Sequence, residues 1–140
     1  MPSVKSQHVG DMVFETQVGD HKILNDVPPT LDWGGDGRYP TPPDYFVASL
    51  SSCIAAFVQQ YCARSRIDAT GMHVEIHYEK GTDPAHMKEL MVDVCLPNAD
   101  VGARAEAIKR VSNSCTVHET ICKMQGLPIS VHDQTGQVAS

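Results

Sequence analysis

The stretch PTPPDYFVASLSSCIAAFVQQYC, residues 40–62, decides the fold. Thr41, the proline pair and Asp44 predict the start of a helix, with Thr41 as the N-cap and Asp44 as the acid of a capping box. Beyond them, apolar residues recur at steps of three and four and form one wide stripe that faces a core. The stripe contains Phe46, Val47, Leu50, Ile54, Phe57, Val58 and Tyr61. Cys53 lies at one edge of this stripe.

The rest of the chain predicts antiparallel strands and two further helices. Residues 11–25 predict two strands joined by a turn at Gly19 and Asp20. Residues 71–81 and 88–97 alternate apolar and polar positions, as half-covered antiparallel strands do. The other predicted elements are a short strand around Leu31 and Trp33, a helix over 100–113, a helix from Thr116 to Gly126 with Thr116 as its N-cap, and a strand over 127–133. This order predicts an α+β fold with helices packed against antiparallel sheet, in one domain over residues 1–140.

Composition excludes several classes of function. A net charge of −6 argues against a nucleic-acid partner, because phosphate binding requires a basic surface. The first ten residues contain no apolar signal region, and we expect no apolar stretch to approach the length of a membrane span. These features predict a cytoplasmic protein without a membrane partner. Five cysteines, an odd number, argue against a disulfide framework and leave core packing, metal binding or thiol chemistry.

Two of the cysteines are candidates for thiol chemistry. Beside Cys53 the helix carries small or polar residues, Ser49, Ala56 and Gln60, which leave a notch rather than a filled surface. A small core residue is the commoner role of a buried cysteine, but the notch would give a reactive thiol access. Cys115 stands at the start of a predicted helix, where the helix dipole favours a thiolate. Its alternative role is to fill the corner between two helices.

A zinc site is the other interpretation of the second cysteine. Cys115, His118 and Cys122 have the spacing C-x2-H-x3-C, and thiolates with imidazole are typical zinc ligands. No fourth ligand is evident, so we expect neither a metal nor a cofactor. Cys62 and Cys95 fall on other faces of their elements and are interpreted as structural, as is Cys122, which is two helical turns from Cys115.

Three stretches resemble the family of osmotically inducible protein C and the organic hydroperoxide resistance proteins (OsmC/Ohr). GDHKILNDVPPTLDWGG, residues 19–35, is similar to the family's leader of small strands and an Asp-x-Pro loop before paired glycines. PTPPDYFVASLSSC, residues 40–53, is similar to the segment that ends in the first reactive cysteine, and CTVHETI, residues 115–121, to the segment that carries the second. The resemblance extends over residues 19–132. It implies an intertwined α+β homodimer that acts as a thiol-dependent peroxidase on organic hydroperoxides.

The resemblance also implies roles for single residues. Cys53 matches the peroxidatic cysteine and Cys115 the resolving cysteine, which an external dithiol reduces after each turnover. Asp44 matches an acidic position, usually glutamate, that pairs with an arginine beside the thiolate. Arg38 is the only arginine before the helix and is the candidate for that arginine. Position 116 is threonine where the family more often has proline.

Helix geometry leaves the role of Asp44 open. On a continuous helix, nine residues place it about 180° from Cys53 and about 13 Å along the axis. Either the acid of a partner subunit completes the site, or Asp44 only caps the helix. Phe46, Phe57 and Trp33 are candidate wall residues for an organic peroxide. The alternative functions are a non-catalytic dimeric module for a small apolar or thiol-bearing ligand, a redox sensor, and the zinc-stabilised domain.

Overall fold

The structure, a computed structural model, describes residues 1–139 and begins with a three-stranded antiparallel meander. Its strands are β1 (Val4–Gly10), β2 (Val13–Val18) and β3 (His21–Asn25), paired in chain order. Val4 lies opposite Val18, and Phe14 lies opposite Asn25. The predicted pair of strands and their turn are confirmed. β1 was not predicted, because its seven residues are all exposed and carry no apolar alternation that would indicate a strand.

The long helix α1 (Pro42–Ser65) is confirmed, with its predicted start. The Asp44 carboxylate accepts hydrogen bonds from the Thr41 amide at 2.8 Å and from the Thr41 hydroxyl at 2.9 Å. The Thr41 hydroxyl accepts in turn from the Asp44 amide at 3.3 Å. These reciprocal bonds are the capping box that the sequence predicts. The Tyr45 hydroxyl then donates to the Leu24 carbonyl at 2.7 Å and ties the first turn of α1 to β3.

The second half of the chain supplies a hairpin, two short helices and a terminal hairpin. The elements are β4 (His73–Gly81), β5 (His86–Cys95), α2 (Ala105–Asn113), α3 (Thr116–Lys123), β6 (Val131–Asp133) and β7 (Gly136–Ala139). β4 pairs with β5, and β6 pairs with β7. Side chains along β4 alternate between exposed and half-buried from His73 to Tyr78, as predicted for a strand covered on one side. The α+β fold with antiparallel sheets is therefore confirmed.

Several predicted elements and boundaries are wrong. The strand expected around Leu31 and Trp33 is a single 3-10 turn, Pro29–Leu31, because consecutive prolines hold the backbone in a turn. α2 begins only after a 3-10 turn over Gly102–Arg104. α3 ends at Lys123 rather than near Gly126, and its N-cap is Cys115 rather than Thr116. The last predicted strand is reduced to the three residues of β6, and β7 was missed.

The chain divides into two compact units. The first contains Met1–Ser52 and Glu75–Val92, and the second contains Cys53–Val74 and the chain from Asp93 onwards. Buried side chains of the first unit are Val13, Asp26 and Leu50. Those of the second are Ile54, Val58, Cys62, Ile108, Ser112 and Cys115. The prediction of a single domain over residues 1–140 stays a prediction.

α1 is the one helix in residues 1–139 whose length and composition would allow it to cross a membrane. It has 24 residues, and its best 18-residue window has a mean hydropathy of 1.3. The expectation that no apolar stretch approaches this length is therefore wrong. The apolar stripe and the small residues beside it together give α1 a high mean hydropathy, although only the stripe was predicted to be buried. The central helix of a soluble domain meets the same criteria, so this finding is weak evidence for a membrane segment.

Candidate active site

The second unit brings Cys53 and Cys115 together. Their side chains approach each other closely enough for Cys53 to raise the pKa of the Cys115 thiol, although 61 residues separate them in the chain. Cys53 is half-buried, and Ser52, Ala56 and Gln60 on the same helix are exposed. Cys115 is fully buried. One thiol of the pair is thus partly accessible, and the other is protected behind it.

Cys115 is held in place as the N-cap of α3. Its backbone is extended, and its sulfur accepts a hydrogen bond from the His118 amide at 3.3 Å. Its carbonyl accepts the first helical bond, from the Glu119 amide at 3.0 Å. Its own amide donates to the Ser112 carbonyl at the end of α2, at 3.3 Å. These three bonds fix the sulfur at the corner between α2 and α3, because a capping residue joins the two helices directly.

The pKa of Cys115 differs from the expectation. Burial raises the pKa of this thiol, and the hydrogen bond and negative charge of Cys53 raise it further. The backbone amides of His118 and Val117 lower it, and the net shift is upward. The predicted depression by the helix dipole is therefore wrong, because loss of solvation outweighs the two amides in a fully buried position. The Cys115 thiol is therefore protonated at neutral pH.

The remaining cysteines lie outside this pair. Cys62 is fully buried on α1, and burial raises the pKa of its thiol. Cys95 is half-buried at the end of β5, and Cys122 is exposed. The sulfur of Cys122 lies 3.9 Å from both ring nitrogens of His118. In residues 1–139 no three His, Cys, Asp or Glu side chains are grouped so that they could hold a metal ion, which leaves the zinc alternative without support.

In the first unit, Arg38 is surrounded by carboxylates. One guanidinium nitrogen donates to Asp11 at 2.9 Å and lies 3.4 Å from Asp36, and Nε lies 3.5 Å from Asp26. The hydrogen bond that the Arg38 guanidinium donates to Asp11 raises the pKa of Arg38, although partial burial opposes this shift. The side chain is close to half exposed, at 46%. Arg38 therefore carries a permanent charge that three acids of its own unit balance.

Asp26 is the centre of this cluster and was given no role in the sequence analysis. Its fully buried carboxylate accepts from the amides of Val27 at 2.7 Å, Arg38 at 3.1 Å and Asp36 at 3.4 Å. Burial raises the pKa of Asp26, but these amides and the Arg38 guanidinium outweigh it and leave the pKa lowered. Its signal in the sequence is an acid directly before a Pro- and Gly-rich loop, where side-chain acceptors commonly order the backbone.

Gly35 lies against the same carboxylate. A Cβ at this position would collide with the carbonyl oxygen and Cγ2 of Val27 and would come within 3.0 Å of Asp26 Oδ1. The Gly37 amide donates to that same Val27 carbonyl at 3.0 Å. The segment Asp26–Arg38, which we call the Asp26 loop, is thus folded tightly over a buried charge. This close approach explains the second glycine of the pair that resembled the family's leader.

The other predicted site residues have simpler surroundings. The Asp44 carboxylate accepts the hydrogen bonds of the capping box from Thr41, and these contacts support the interpretation of Asp44 as a helix cap. Its pairing with an arginine stays a prediction. Among the candidate wall residues, Trp33 and Phe46 are exposed in the first unit, and Phe57 is half-buried in the second. Their contact with a peroxide also stays a prediction.

Comparison with known proteins now places the chain. The sequence model of the OsmC-like protein family matches residues 35–131, a span that begins in the Asp26 loop and includes both Cys53 and Cys115. The chain belongs to the OsmC-like family. The resemblance proposed from the three sequence stretches is therefore confirmed. No curated protein is similar enough in sequence to this OsmC-like protein to count as a match.

Solved structures share the fold of this OsmC-like protein at low sequence identity. A Psychrobacter arcticus protein described as an osmotic stress induced and detoxification response protein is 21% identical, with a TM-score of 0.72 over 86% of this chain and 88% of that one. An OsmC-like protein of Mycoplasma pneumoniae is 17% identical, with a TM-score of 0.69 over 89% of each chain. A Legionella pneumophila protein described as an organic hydroperoxide resistance protein and predicted redox protein is 20% identical, with a TM-score of 0.62 over 88% of this chain and 90% of that one. The OsmC-like fold is thereby shown.

Proposed function

We propose that this OsmC-like protein is a thiol-dependent peroxidase that reduces organic hydroperoxides, with Cys53 as the peroxidatic and Cys115 as the resolving cysteine. The observation that carries the proposal is the close approach of the Cys53 and Cys115 side chains within the second unit. A disulfide requires two cysteines whose side chains can approach each other, and within residues 1–139 no other two cysteines interact in this way. Family membership supports the reaction class, as does the description of the Legionella relative as a hydroperoxide resistance protein.

In the first step the Cys53 thiolate attacks the peroxide. A sulfur–oxygen bond forms and the oxygen–oxygen bond breaks, so that Cys53 becomes a sulfenic acid and the rest of the peroxide leaves as an alkoxide, which takes a proton from the solvent and becomes an alcohol. The sulfur loses two electrons, and the peroxide gains them. The Cys115 thiol is protonated at this stage, because burial and the neighbouring charge raise its pKa. Its S–H can therefore donate to the attacking sulfur and stabilise the thiolate.

In the second step Cys115 resolves the sulfenic acid. Its sulfur attacks the Cys53 sulfur, a disulfide forms, and water leaves with the oxygen and the proton of Cys115. An external dithiol then donates two electrons by thiol–disulfide exchange and restores both thiols. The half-buried Cys53, rather than the fully buried Cys115, is the accessible target of that exchange.

Arg38 and Asp44 enter this proposal through the family resemblance. A cation beside Cys53 would stabilise the thiolate and the departing alkoxide, and Arg38 remains the candidate. Its guanidinium is already balanced by Asp11, Asp26 and Asp36. We therefore expect Arg38 to act as a positioned charge rather than as a group with a changing protonation state. The proposed reaction does not depend on a contact between Asp44 and Arg38.

The assembly and location that we propose follow the family. We propose a homodimer, because α1 is apolar over a long stretch of which only 22% is buried within the single chain. A second copy could cover that surface, as in symmetric dimers whose interfaces are formed by helix faces. We place the reaction in the cytoplasm, because the OsmC-like fold suggests a soluble protein and thiol pairs stay reduced there between turnovers.

The proposal is tested by rapid mixing of the reduced protein with cumene hydroperoxide. The parent protein should consume one equivalent quickly, and Cys53→Ser should lose this consumption by about a thousandfold or more. Cys122→Ser is the matched control, because it removes an exposed thiol of the same unit and should leave the rate unchanged. Cys115→Ser should still react once and should then accumulate sulfenic and sulfinic acid at Cys53.

Two outcomes would contradict the proposal. If Cys53→Ser consumes the peroxide as fast as the parent, Cys53 is not the peroxidatic residue. If the parent protein consumes no more peroxide than an equal concentration of an unstructured thiol, the non-catalytic module or the redox sensor is the better interpretation.

A further inference from the structure

Ser112 is a buried polar residue to which the proposed reaction gives no role. In the part of the chain that the structure describes, Asp26 and Ser112 are the only buried residues with a polar or charged side chain. The burial of Asp26 is explained by the donors of its loop. Ser112 lies in the last turn of α2. A buried hydroxyl is unfavourable unless it forms a hydrogen bond, so the partner of this hydroxyl indicates what it does.

The hydroxyl of Ser112 is bonded to the core of the second unit. Its oxygen donates to the Ile108 carbonyl at 2.8 Å. Ile108 is itself buried on α2. The last turn of a helix lacks part of its intrahelical hydrogen bonds and frays most easily. The hydroxyl bond therefore ties this turn to a position that packing already fixes.

The backbone of Ser112 is bonded in the other direction, to the proposed resolving cysteine. Its carbonyl accepts from the Cys115 amide at 3.3 Å. Only Ser114 and Cys115 separate α2 from α3, so the chain between the two helices has little slack. A displacement of Ser112 therefore displaces Cys115, whose sulfur caps α3 and approaches Cys53. The hydrogen bonds of Ile108, Ser112 and Cys115 thus connect the core to the thiol pair.

Ser112 also has an ordinary structural explanation. A serine hydroxyl in a helix commonly donates to the carbonyl four residues earlier, and this bond by itself only satisfies the hydroxyl. The same bond occurs at Ser114, whose hydroxyl donates to the Arg110 carbonyl at 2.9 Å, but Ser114 is exposed and its hydroxyl can also bond to water. At a buried helical position, alanine has the higher helix propensity and leaves no hydroxyl to satisfy. Helix stability alone therefore does not favour serine at position 112.

We propose that Ser112 is a positioning residue for the resolving step, and that its hydroxyl holds the end of α2 so that the Cys115 sulfur faces Cys53. This inference rests on the proposed function, because it concerns the second step of that reaction. Disulfide formation is sensitive to placement, since the Cβ atoms of the two cysteines must come within about 3.5–4.5 Å of each other. The attack on the peroxide is made by Cys53 on a different helix. Loss of the Ser112 hydroxyl should therefore slow the second step far more than the first.

The inference is tested by measuring the two steps separately after rapid mixing with cumene hydroperoxide. Trapping with dimedone measures the sulfenic acid at Cys53, and mass spectrometry of alkylated samples measures the disulfide between Cys53 and Cys115. Ser112→Ala should form the sulfenic acid within about twofold of the parent rate and the disulfide roughly tenfold more slowly, because small displacements of reacting groups strongly affect rates. With excess peroxide it should accumulate more sulfinic acid, since the sulfenic acid persists longer. Ser114→Ala is the matched control, because it removes the same kind of hydroxyl bond beside Cys115 and should leave both rates unchanged.

A second pair of variants separates the hydroxyl from packing. Threonine and valine have nearly the same shape, but only threonine can donate to the Ile108 carbonyl. Ser112→Thr should form the disulfide about fivefold faster than Ser112→Val, even where both variants unfold at a lower temperature than the parent. A purely structural residue would change the thermal stability or slow both steps together. The inference is overturned if Ser112→Ala forms the disulfide as fast as the parent, if Ser114→Ala slows it equally, or if the threonine and valine variants have equal rates.

Oxidation by diamide keeps this test separate from the peroxidase proposal. Diamide converts two thiols to a disulfide by accepting their electrons and protons, and it requires no peroxidase activity. If the parent consumes no peroxide but Ser112→Ala slows disulfide formation by diamide roughly tenfold, the peroxidase proposal fails and the positioning role stands. If peroxide consumption is rapid and neither oxidant reveals an effect of Ser112→Ala, the positioning role alone fails. If neither oxidant joins Cys53 to Cys115 in the parent, both proposals fail.

Discussion

Asp26 in the first unit and Cys115 in the second are both fully buried ionisable side chains, yet their pKa values shift in opposite directions. The pKa of Asp26 is lowered, so the residue is ionised. The pKa of Cys115 is raised, so the residue is neutral. Burial opposes the charge in both cases. At Asp26, three backbone amides and a guanidinium outweigh the effect of burial. At Cys115, two backbone amides do not outweigh burial, and the negative charge of Cys53 raises the pKa further.

The comparison shows that the hydrogen-bond donors around a buried group decide its charge. Asp26 is a fixed charge around which a loop is ordered, and a change in its protonation would undo the loop. Cys115 is a protonated thiol that can be consumed in a reaction without leaving a buried charge unpaired. The two regions should therefore respond to different perturbations: the Asp26 loop to geometry and acid, and the thiol pair to oxidants and base.

The largest expected effect on stability is at Gly35. Gly35→Ala places a Cβ against the backbone of Val27 and near the carboxylate of Asp26, so the loop must shift. We expect a loss of about 2–3 kcal/mol in the free energy of unfolding, measured by urea denaturation. Gly19→Ala is the control, because its added Cβ meets open space and only the positive φ of 58° is unfavourable, at about 1 kcal/mol. Equal losses in the two variants would show that the close approach at Gly35 has no energetic weight.

The next effect concerns the charge of Asp26. Asp26→Asn replaces an acceptor-only carboxylate by an amide whose NH2 group faces backbone N–H donors, and should lower the Tm at pH 7 by roughly 5 °C or more. The control Asp36→Asn changes an exposed acid that pairs with the same guanidinium and should shift the Tm by no more than about 2 °C. Because the folded state lowers the pKa of Asp26, its contribution is present above the ordinary aspartate pKa and is lost as the pH falls through the lowered value. The Tm difference between parent and Asp26→Asn should therefore shrink below pH 4, and a difference that persists at pH 2 would contradict this account.

A smaller effect is expected from the cap of α3. Cys115→Ala removes the acceptor of the His118 amide and should lower the free energy of unfolding by about 1–2 kcal/mol. Cys115→Ser keeps an acceptor at the cap and should lose less. Cys122→Ala, at an exposed position near the other end of the same helix, should stay within about 0.5 kcal/mol of the parent. If the alanine and serine variants of Cys115 are equally stable, the sulfur does not act as a cap.

The smallest effect is a difference in alkylation. In the reduced protein at pH 7.5, iodoacetamide should modify Cys115 roughly tenfold more slowly than Cys122, because Cys115 is buried and its pKa is raised. The gap should narrow as the pH rises through the raised pKa of Cys115, where the stability that its protonated form provides is also lost. Mass spectrometry of the labelled peptides measures both rates. If Cys115 reacts as fast as Cys122 at pH 7.5, the Cys115 thiol is not buried as the structure shows.

Periodicity predicted the elements that bury a regular face. α1 and β4 follow from apolar steps of three, four or two residues, and the capping box follows from Thr41 and Asp44. The same alternation predicted β5 as a strand, but its burial is irregular, and Val92 on the face predicted to be covered is exposed. β1 could not be predicted this way, because an exposed strand leaves no apolar pattern and is specified by its partner. A strand was predicted around Leu31 and Trp33 from these two apolar residues. The two prolines before Leu31 hold the backbone in a turn instead.

The site was predictable only where residues carried a local signal. Cys53 and Cys115 were singled out by a notch and a helix start, but their contact depends on how α1 and α3 are placed within the unit. The direction of the Cys115 pKa shift could not be predicted, because the burial of a capping residue is a tertiary property. Asp26 was missed because its four donors come from its own loop, whose path the sequence leaves open.

Peptide mapping of the oxidised protein tests the central claim most directly. The reduced protein is mixed with one equivalent of cumene hydroperoxide, the remaining thiols are alkylated, and the digest is analysed by mass spectrometry without reduction. We predict one dominant disulfide, between the peptide that contains Cys53 and the peptide that contains Cys115, with Cys62, Cys95 and Cys122 recovered as alkylated thiols. Recovery of Cys53 and Cys115 as free thiols, or a dominant disulfide that involves any other cysteine, would contradict the account.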